Sequence, residues 1–317
     1  MQDGLVTTII PVFNRAAMLG EAVASVLAQT YRPIEIIVVN DGSTDDTAST
    51  ADGLARLHPE VRVVHQSNTG VGAAREAGRL AAKGEFIQHL DSDDLLEPRK
   101  FELQVAGLQS HPECDVSYGW TRMRFRDGSV HPEPWKRTGE EMGSIFPAML
   151  ETRWWETTTP LYRAAVIAKA GAWLSLRYEE DWEYDCRLGA MGVRLHFVGD
   201  WVSEFRQHTG QTSGKSGPSV LRDRATAHAA ILGHARQAGI DDDAPEMRHF
   251  ARELFLLGRQ CGASGLAAES SRLVALACDA SGRDRNRLQL RLYTLLARVL
   301  GWTTMGRIAS ATDKLRR

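Results

Sequence analysis

Cysteine is scarce. Cys114, Cys186, Cys261 and Cys278 are the four in 317 residues, and no two stand in Cys-x-x-Cys spacing. Neither a cysteine zinc cage nor a disulfide framework is indicated, and the four read as small core residues of a reducing compartment. No apolar run reaches the roughly 18 residues that a membrane-spanning helix needs. The first residues lack a basic stretch followed by an apolar core, so no signal peptide is expected and the expected location is cytoplasmic. Charge is nearly balanced at −2, which argues against general nucleic-acid binding. The first strand-turn-helix carries no G-x-G-x-x-G, which disfavours a dinucleotide-dependent dehydrogenase.

What is present is the composition of a soluble globular protein, 43% hydrophobic and 25% charged. The length suits a catalytic-size domain with an appendage. One stretch organises the rest: Phe86-Ile87-Gln88-His89-Leu90 is a short apolar strand that stops at Asp91-Ser92-Asp93-Asp94. Pro98 follows, suited to open a helix. Carboxylates at the end of a buried strand are costly unless a positive charge joins them. Mg²⁺ or Mn²⁺, shared between one or two carboxylates and substrate phosphates, supplies such a charge. A solvated turn with aspartate on a helix dipole is the plainer alternative.

Upstream, Leu5 to Val12 reads as a buried strand, and Asn14 is placed to cap a helix over about Ala16 to Gln29. Ile34 to Val39 is a second buried strand, ending in Asn40-Asp41-Gly42-Ser43-Thr44-Asp45-Asp46, where Ser43 or Thr44 is placed to cap a helix to about Leu57. Val61 to Val64 is a third strand. Asn68-Thr69-Gly70-Val71-Gly72-Ala73-Ala74-Arg75 is a glycine-bearing turn into a helix ending near Lys83. The alternation predicts an α/β fold with a parallel sheet. In such sheets ligands bind beyond the carboxyl ends of the strands. Phe13-Asn14, Asp41, Gly70 to Arg75 and Asp91 to Asp93 all fall there.

Ile10-Pro11-Val12-Phe13-Asn14, the Asn40 to Asp45 run, Asn68-x-Gly70-x-x-x-Ala74-Arg75 and Asp91-Ser92-Asp93-Asp94 stand in an order and spacing that resemble family 2 glycosyltransferases. The resemblance implies a GT-A fold, a nucleoside-diphosphate sugar donor with UDP as the expected carrier, and a divalent cation, Mn²⁺ or Mg²⁺. It implies that Pro11, Phe13 and Asn14 border the nucleotide and that Asp41 accepts a hydrogen bond from the base. Gly70 and Arg75 would lie near the base or diphosphate. Asp91 and Ser92 would face the ribose or donor sugar, and Asp93, with Asp91 beside it, would hold the metal. Glu76 departs from the asparagine that many relatives carry after the Ala-Arg pair, and a neighbouring acid could engage Arg75.

In the second half, Asp115 to Phe125 reads as strand, with a hairpin turn at Asp127-Gly128 leading back through Val130. Trp135, Trp154 and Trp155 stand out among eight tryptophans. Core or interface packing and stacking on a sugar ring both suit them. Thr157 to Arg163 leads into a short helix ending at Gly171. Glu179-Glu180-Asp181 precedes a helix from about Trp182 to Met191. Acids there suit a helix dipole, and they also resemble the family's Glu-Asp pair, which implies that Asp181 is the catalytic base. Val193 to Val198 and Trp201 to Phe205 read as two strands. The run Phe205-Arg206-Gln207-His208-Thr209-Gly210-Gln211-Thr212-Ser213 resembles the family's late aromatic-Arg-x-His segment. It implies a diphosphate clamp by Arg206 and His208, with His208 also a metal ligand.

From Pro218 the pattern turns helical: Val220 to Gln237, Pro245 to Cys261, Leu266 to Cys278 and Leu288 to Leu300. The middle pair faintly resembles one tetratricopeptide hairpin, which has no neighbouring repeat to cover it. Beyond Ser281 nine Arg or Lys stand against two Asp, a local charge of +7. Leu288, Leu292, Leu295 and Val299 form an apolar stripe beside Arg287, Arg291 and Arg298. This suits an amphipathic helix on the inner face of a membrane, or a helix packed on its own protein.

The expected organisation is a GT-A domain over 1–215 and an α-helical region over 216–317. The expected activity is inverting, metal-dependent transfer of a sugar to a hydroxyl of a glycan, lipid-linked glycan, protein or small molecule. A nucleotide-sugar-binding scaffold without turnover is the alternative.

Overall fold

The computed structural model describes residues 1–211, 215–282 and 287–315. Thr212 and Ser213, in the expected clamp loop, lie outside them. The chain divides into two compact units. One comprises Met1–Ile145, Trp154–Leu176 and Gly192–Gln211; the other comprises Phe146–Arg153, Arg177–Met191 and the helices from residue 215 onward.

The first unit is built on an eight-stranded sheet. In chain order the strands are β1 (Gln2–Val12), β2 (Ile34–Asp41), β3 (Val61–Gln66), β4 (Gly84–His89), β5 (Leu95–Leu96), β6 (Val116–Arg124), β7 (Leu161–Arg163) and β8 (Leu195–Arg206). Their order across the sheet is β3-β2-β1-β4-β7-β6-β8-β5. The first four are parallel, joined by α1 (Ala16–Leu27), α2 (Thr47–Leu57) and α3 (Val71–Ala81). The near-continuous apolar runs of β1, β2 and β4 are buried on both faces, as parallel strands between helical layers must be, whereas the edge strand β3 is half exposed. Val6, Ile10, Ile36, Val38 and Phe86 join Leu19, Val23 and Val26 of α1 and Phe101, Val105 and Leu108 of α4 (Lys100–Ser110) in one core. Ile37 and Val39 meet Ala74 of α3 in a second.

The other half of the sheet is mixed. Three-residue β7 runs antiparallel to both β4 and β6, and β5 is antiparallel to β8. The two strands expected over residues 193–205 are one, β8, parallel to β6. Its register jumps where Gly119 faces Val198 and Trp120 faces Trp201, so residues 199–200 bulge rather than break the strand. A Cβ on Gly119 would lie 2.8 Å from the Val198 carbonyl and 3.0 Å from that of Asp200, so only glycine admits the bulge. α5 (Ala164–Ala170) ends at Gly171 as expected.

Three expected helix starts are displaced. Asn14 does not cap α1 and neither Ser43 nor Thr44 caps α2; Arg15 and Asp46 hold those positions, without side-chain caps. Pro98 does not open α4, because Leu95 and Leu96 first pair with Glu204 and Ser203, and the helix begins at Lys100. Trp154 and Trp155 are core residues, fully buried and packed on Tyr118 at ring separations of 5.2 and 5.7 Å. Trp135 is tied down by an indole N–H donated to Glu156 at 2.9 Å.

The second unit is helical: α6 (Glu180–Ala190), α7 (Pro218–Gln237), α8 (Pro245–Ala263), α9 (Ala267–Asp279), α10 (Arg287–Leu300) and α11 (Trp302–Leu315). Its core includes Ile231, Met247, Phe250, Leu254, Leu273 and Val274. Helix α11 follows the last helix expected from the sequence. It crosses α8 so closely that a Cβ on Gly306 would meet the Ala263 backbone nitrogen at 2.2 Å. Among the described residues no helix is long and apolar enough to cross a membrane.

Candidate active site

The carboxyl ends of β1, β2 and β4 carry a cluster of polar residues in the first unit. Val12 ends β1, and Phe13 follows with 43% of its surface exposed. Asn14 takes a left-handed backbone, φ +53°, which asparagine tolerates better than most residues. Its backbone N–H donates to Ser43 Oγ at 3.0 Å, and its Oδ1 accepts from the Thr44 N–H at 2.8 Å. Asn14 therefore laces the loop after β1 to the loop after β2. Pro11 lies inside β1, buried, in register with Val39.

Asp41, at the end of β2, is buried and uses both carboxylate oxygens. Oδ1 accepts from the Thr69 N–H at 2.8 Å and from Gln66 Nε2 at 2.8 Å, and Oδ2 accepts from the Gly70 N–H at 2.9 Å. These bonds fix the turn at the start of α3, where Gly70 has φ +100°. One turn on, Arg75 is buried and donates to Asp91 Oδ1 at 2.7 Å, with its guanidinium 5.0 Å from the centre of the Trp173 ring. Glu76 accepts from Arg79 at 2.6 and 2.7 Å and from the Trp173 N–H at 3.2 Å. His89, fully buried, packs edge-on against the same indole at 4.9 Å. Burial, reinforced by the charge of Arg75, pushes this imidazole well below its ordinary range, so it is neutral.

The acid cluster after β4 is met from three directions, by Arg15, His208 and Arg206. Arg15 pairs with Asp93 and also donates to the Gly210 carbonyl at 3.2 Å. His208 Nε2 lies 2.8 Å from Asp93 Oδ2. Arg206 donates to the Asp93 carbonyl at 2.6 Å through its side chain and to Asp94 Oδ1 at 3.1 Å through its backbone, and it pairs with Glu21. Asp94 also accepts from Thr158 Oγ1 at 2.9 Å. Burial first, then Asp93 and Asp91, hold its carboxyl well above the usual range. Ser92 is buried between the acids, whereas Asp91 keeps 32% of its side chain exposed.

Asp91, Ser92, Asp93, Arg75, Arg206 and His208 are therefore gathered around one turn. Arg15 was missed, although its place after Phe13-Asn14 set it beside the strand ends. Among the described residues no three His, Cys, Asp or Glu side chains assemble as a metal cage. Asp93 and His208 bring one carboxylate and one imidazole together, and a bound cation would displace bonds made here: Asp93 Oδ2 meets Arg15 and His208 Nε2, and His208 Nδ1 accepts from the Gly210 N–H at 3.1 Å. So small a protein share suits a cation that takes its other ligands from a diphosphate and water, and the nitrogen favours Mn²⁺ over Mg²⁺. Asp91 is engaged in the same way, with Arg75 on its Oδ1.

Asp181 belongs to the second unit, in the first turn of α6. Arg153 bridges two acids of that helix: Nη1 lies 2.8 Å from Asp181 Oδ2, and Nε lies 2.8 Å from Asp185 Oδ2. Asp181 Oδ1 accepts from the Trp182 N–H at 2.8 Å, and Trp182 Nε1 donates to the Met149 carbonyl at 2.9 Å. The flanking acids are held by α7. Glu179 meets Arg224 at 2.7 Å and His228 at 2.9 Å; Glu183 meets Arg187 at 2.6 Å and His234 at 2.8 Å. Burial pushes both glutamates up, yet these arginine and histidine partners more than offset it and leave both below the usual range. No pattern in the sequence marks Arg153.

The family model for glycosyl transferase family 2 matches residues 7–164. An uncharacterized glycosyltransferase of Rickettsia felis is 34% identical over 155 residues, 48% of this chain and 25% of that protein. Glycosyltransferase GlyG of Streptococcus pneumoniae is 39% identical over 116 residues, 36% of this chain and 38% of its own. The uncharacterized glycosyltransferase EpsJ of Bacillus subtilis is 27% identical over 211 residues, 64% of this chain and 61% of its own. The matched part thus spans less than two thirds of each of these relatives. Among solved structures, S. aureus TarS 1–349 in complex with UDP-GlcNAc has a TM-score of 0.70 at 18% identity, covering 97% of this chain and 92% of that one. The mannosyltransferase PcManGT of Pyrobaculum calidifontis, in complex with GDP-Man and Mn²⁺, has a TM-score of 0.52 at 19% identity, covering 98% and 86%. At these identities the likeness is one of fold, and it bears out the expected GT-A architecture with additional C-terminal helices.

Proposed function

Since the chain belongs to glycosyl transferase family 2 through residues 7–164, we propose that it moves a sugar from a nucleoside diphosphate to an acceptor hydroxyl, with inversion and with a divalent cation. The observation that carries the reading is the convergence of Arg15, Arg206 and His208 on the carboxylate turn at Asp93. Such a cluster suits a diphosphate leaving group, whose negative charge grows as the glycosidic bond breaks. Asp93 and His208 would hold the cation, which neutralises that charge when bound. Arg15 and Arg206 add fixed positive charge beside it. Phe13 and Asn14 border the nucleotide, and Asp41 keeps the turn before Arg75 in shape for it. Uridine diphosphate is the carrier we favour, in keeping with the UDP-GlcNAc of the TarS complex.

Asp181 is the base in this reading, taking the proton of the acceptor hydroxyl as it attacks the anomeric carbon. Arg153 orients its carboxylate. Donor binding and chemistry belong to residues 1–215, and residues 216–317 form a helical region. The acceptor is a hydroxyl of a glycan, a lipid-linked glycan, a protein or a small molecule, and the work is done in the cytoplasm, with peripheral contact to a membrane.

Calorimetric titration of UDP-GlcNAc and other UDP-sugars, with Mn²⁺ and with chelator, tests the donor site. At least one donor should bind, more tightly with Mn²⁺. Asp93→Asn should weaken the Mn²⁺-dependent binding by about tenfold or more, the scale on which metal sites respond to altered ligation. Equal affinity of wild type and variant in Mn²⁺ would overturn the assignment.

A further inference from the structure

Helix α10 has two apolar faces, and only one is covered. Leu290, Tyr293 and Ala297 are buried. Leu288, Leu292, Leu295, Leu296, Val299 and Leu300 are all exposed, at 38–77% of their surface. Six exposed aliphatic side chains on one 14-residue helix exceed what a soluble surface scatters singly. Leu288, Leu292, Leu295 and Val299 recur at spacings of four, three and four, so they lie within about 60° of one another around the axis. Exposed Arg291 and Arg298 stand together on one flank of that stripe, roughly 70–90° from its centre. Arg287 opens the helix, with its side chain outside the described residues. The helix contains no acid at all.

We propose that α10 docks in the plane of a bilayer that carries anionic headgroups. Its length of about 21 Å and its flanking cations suit a helix lying at the headgroup boundary rather than crossing it. The apolar stripe enters the acyl edge, and the arginines reach outward along it to lipid phosphates. Charge separates this occupant from a second copy of the chain. Two copies face to face would bring together two segments of local charge +7, whereas an anionic surface complements both the stripe's flank and the segment. The inference concerns a surface and does not depend on the glycosyl-transfer reading.

Co-sedimentation of the whole chain with vesicles tests it, using phosphatidylcholine alone and phosphatidylcholine mixed with phosphatidylglycerol. The wild type should partition about tenfold or more in favour of the anionic vesicles at low salt, and lose much of that preference in 0.5 M salt as the charges are screened. The triple variant Leu292→Gln, Leu295→Gln, Val299→Gln alters exposed positions only, so the fold should persist by circular dichroism. It should lose binding to anionic vesicles by about tenfold or more, since binding scales with the apolar area inserted. Arg291→Gln with Arg298→Gln should reduce the anionic preference while leaving the fold intact. Absence of wild-type binding to anionic vesicles, equal binding to both vesicle types, or full binding by the triple variant would each overturn the proposal. Self-association that the triple variant abolishes, without lipid binding, would overturn it in favour of a second copy.

Discussion

Asp41→Asn removes one negative charge and one acceptor from a site that uses both. In the wild type, Oδ1 serves Thr69 N–H and Gln66 Nε2, and Oδ2 serves Gly70 N–H. Asparagine offers one oxygen and one NH₂. If its oxygen keeps Thr69 and Gln66, its amide nitrogen points donor to donor at the Gly70 N–H. The reverse orientation strands two donors and is worse. An orphaned buried N–H costs about 1–3 kcal/mol, and bonds to a charged acceptor lose part of their roughly 1.5–3 kcal/mol when the charge goes. We expect a loss near 3 kcal/mol, confined to the first unit. Urea unfolding should show it, and amide exchange at Thr69 and Gly70 should accelerate most, because the opening is local. UDP-sugar binding should weaken too, as the turn before Arg75 loosens. A change under about 0.5 kcal/mol with unchanged exchange at Gly70 would refute the reasoning.

Lys100 is fully buried and donates to the Thr159 carbonyl at 2.7 Å, and burial pushes its ammonium well below the ordinary lysine range. With the folded value depressed, the unfolded chain binds more protons between that depressed value and the ordinary pKa of about 10.4, so stability should rise with pH across that interval, by up to about 1.4 kcal/mol per unit. Lys100→Met should be more stable than wild type at neutral pH, with the gap closing as pH approaches 10; a constant gap contradicts this. Gln104 Nε2, at 3.3 Å, still serves the Thr159 carbonyl in that variant. Arg153→Met should destabilise by about 3 kcal/mol, since it strips a charge from a buried ion pair. Adding Asp185→Asn should recover part of the loss, and equal unfolding midpoints for the single and double variants would show that Asp185 is not the reason.

Three strands of the parallel half were legible because they are buried on both faces, so Leu5 to Val12, Ile34 to Val39 and Phe86 to Leu90 stand out as apolar runs. β5 and β7 were not, being too short to show any period. Gly199-Asp200 read as a break because polar and flexible residues mark bulges and turns alike. Around the site, strand-end clusters could be placed but not their partners. Sequence spacing brought Asp41 to the rim, yet its lone pairs are claimed by Thr69, Gly70 and Gln66, some 25 residues away. Arg153 was hidden for the same reason, since no local pattern links it to Asp181. In α10 the leucine stripe was visible but its direction was not: a helix apolar on two sides does not say which side is covered, and here Leu290, Tyr293 and Ala297 are the buried set.

The central claim is that Asp181 takes the acceptor's proton as the sugar is transferred, and one comparison tests it. Nucleoside-diphosphate release from the tightest-binding UDP-sugar should be followed for wild type and Asp181→Asn, with hydroxyl acceptors present and with donor affinity measured in parallel. The substitution keeps the shape of the side chain and nearly all its packing. Donor affinity should therefore hold within a few-fold, while acceptor-dependent release falls by roughly 10²-fold or more, the scale of a lost general base. Near wild-type release by Asp181→Asn, with Glu179→Gln or Glu180→Gln inactive, would contradict the account and move the base to a glutamate.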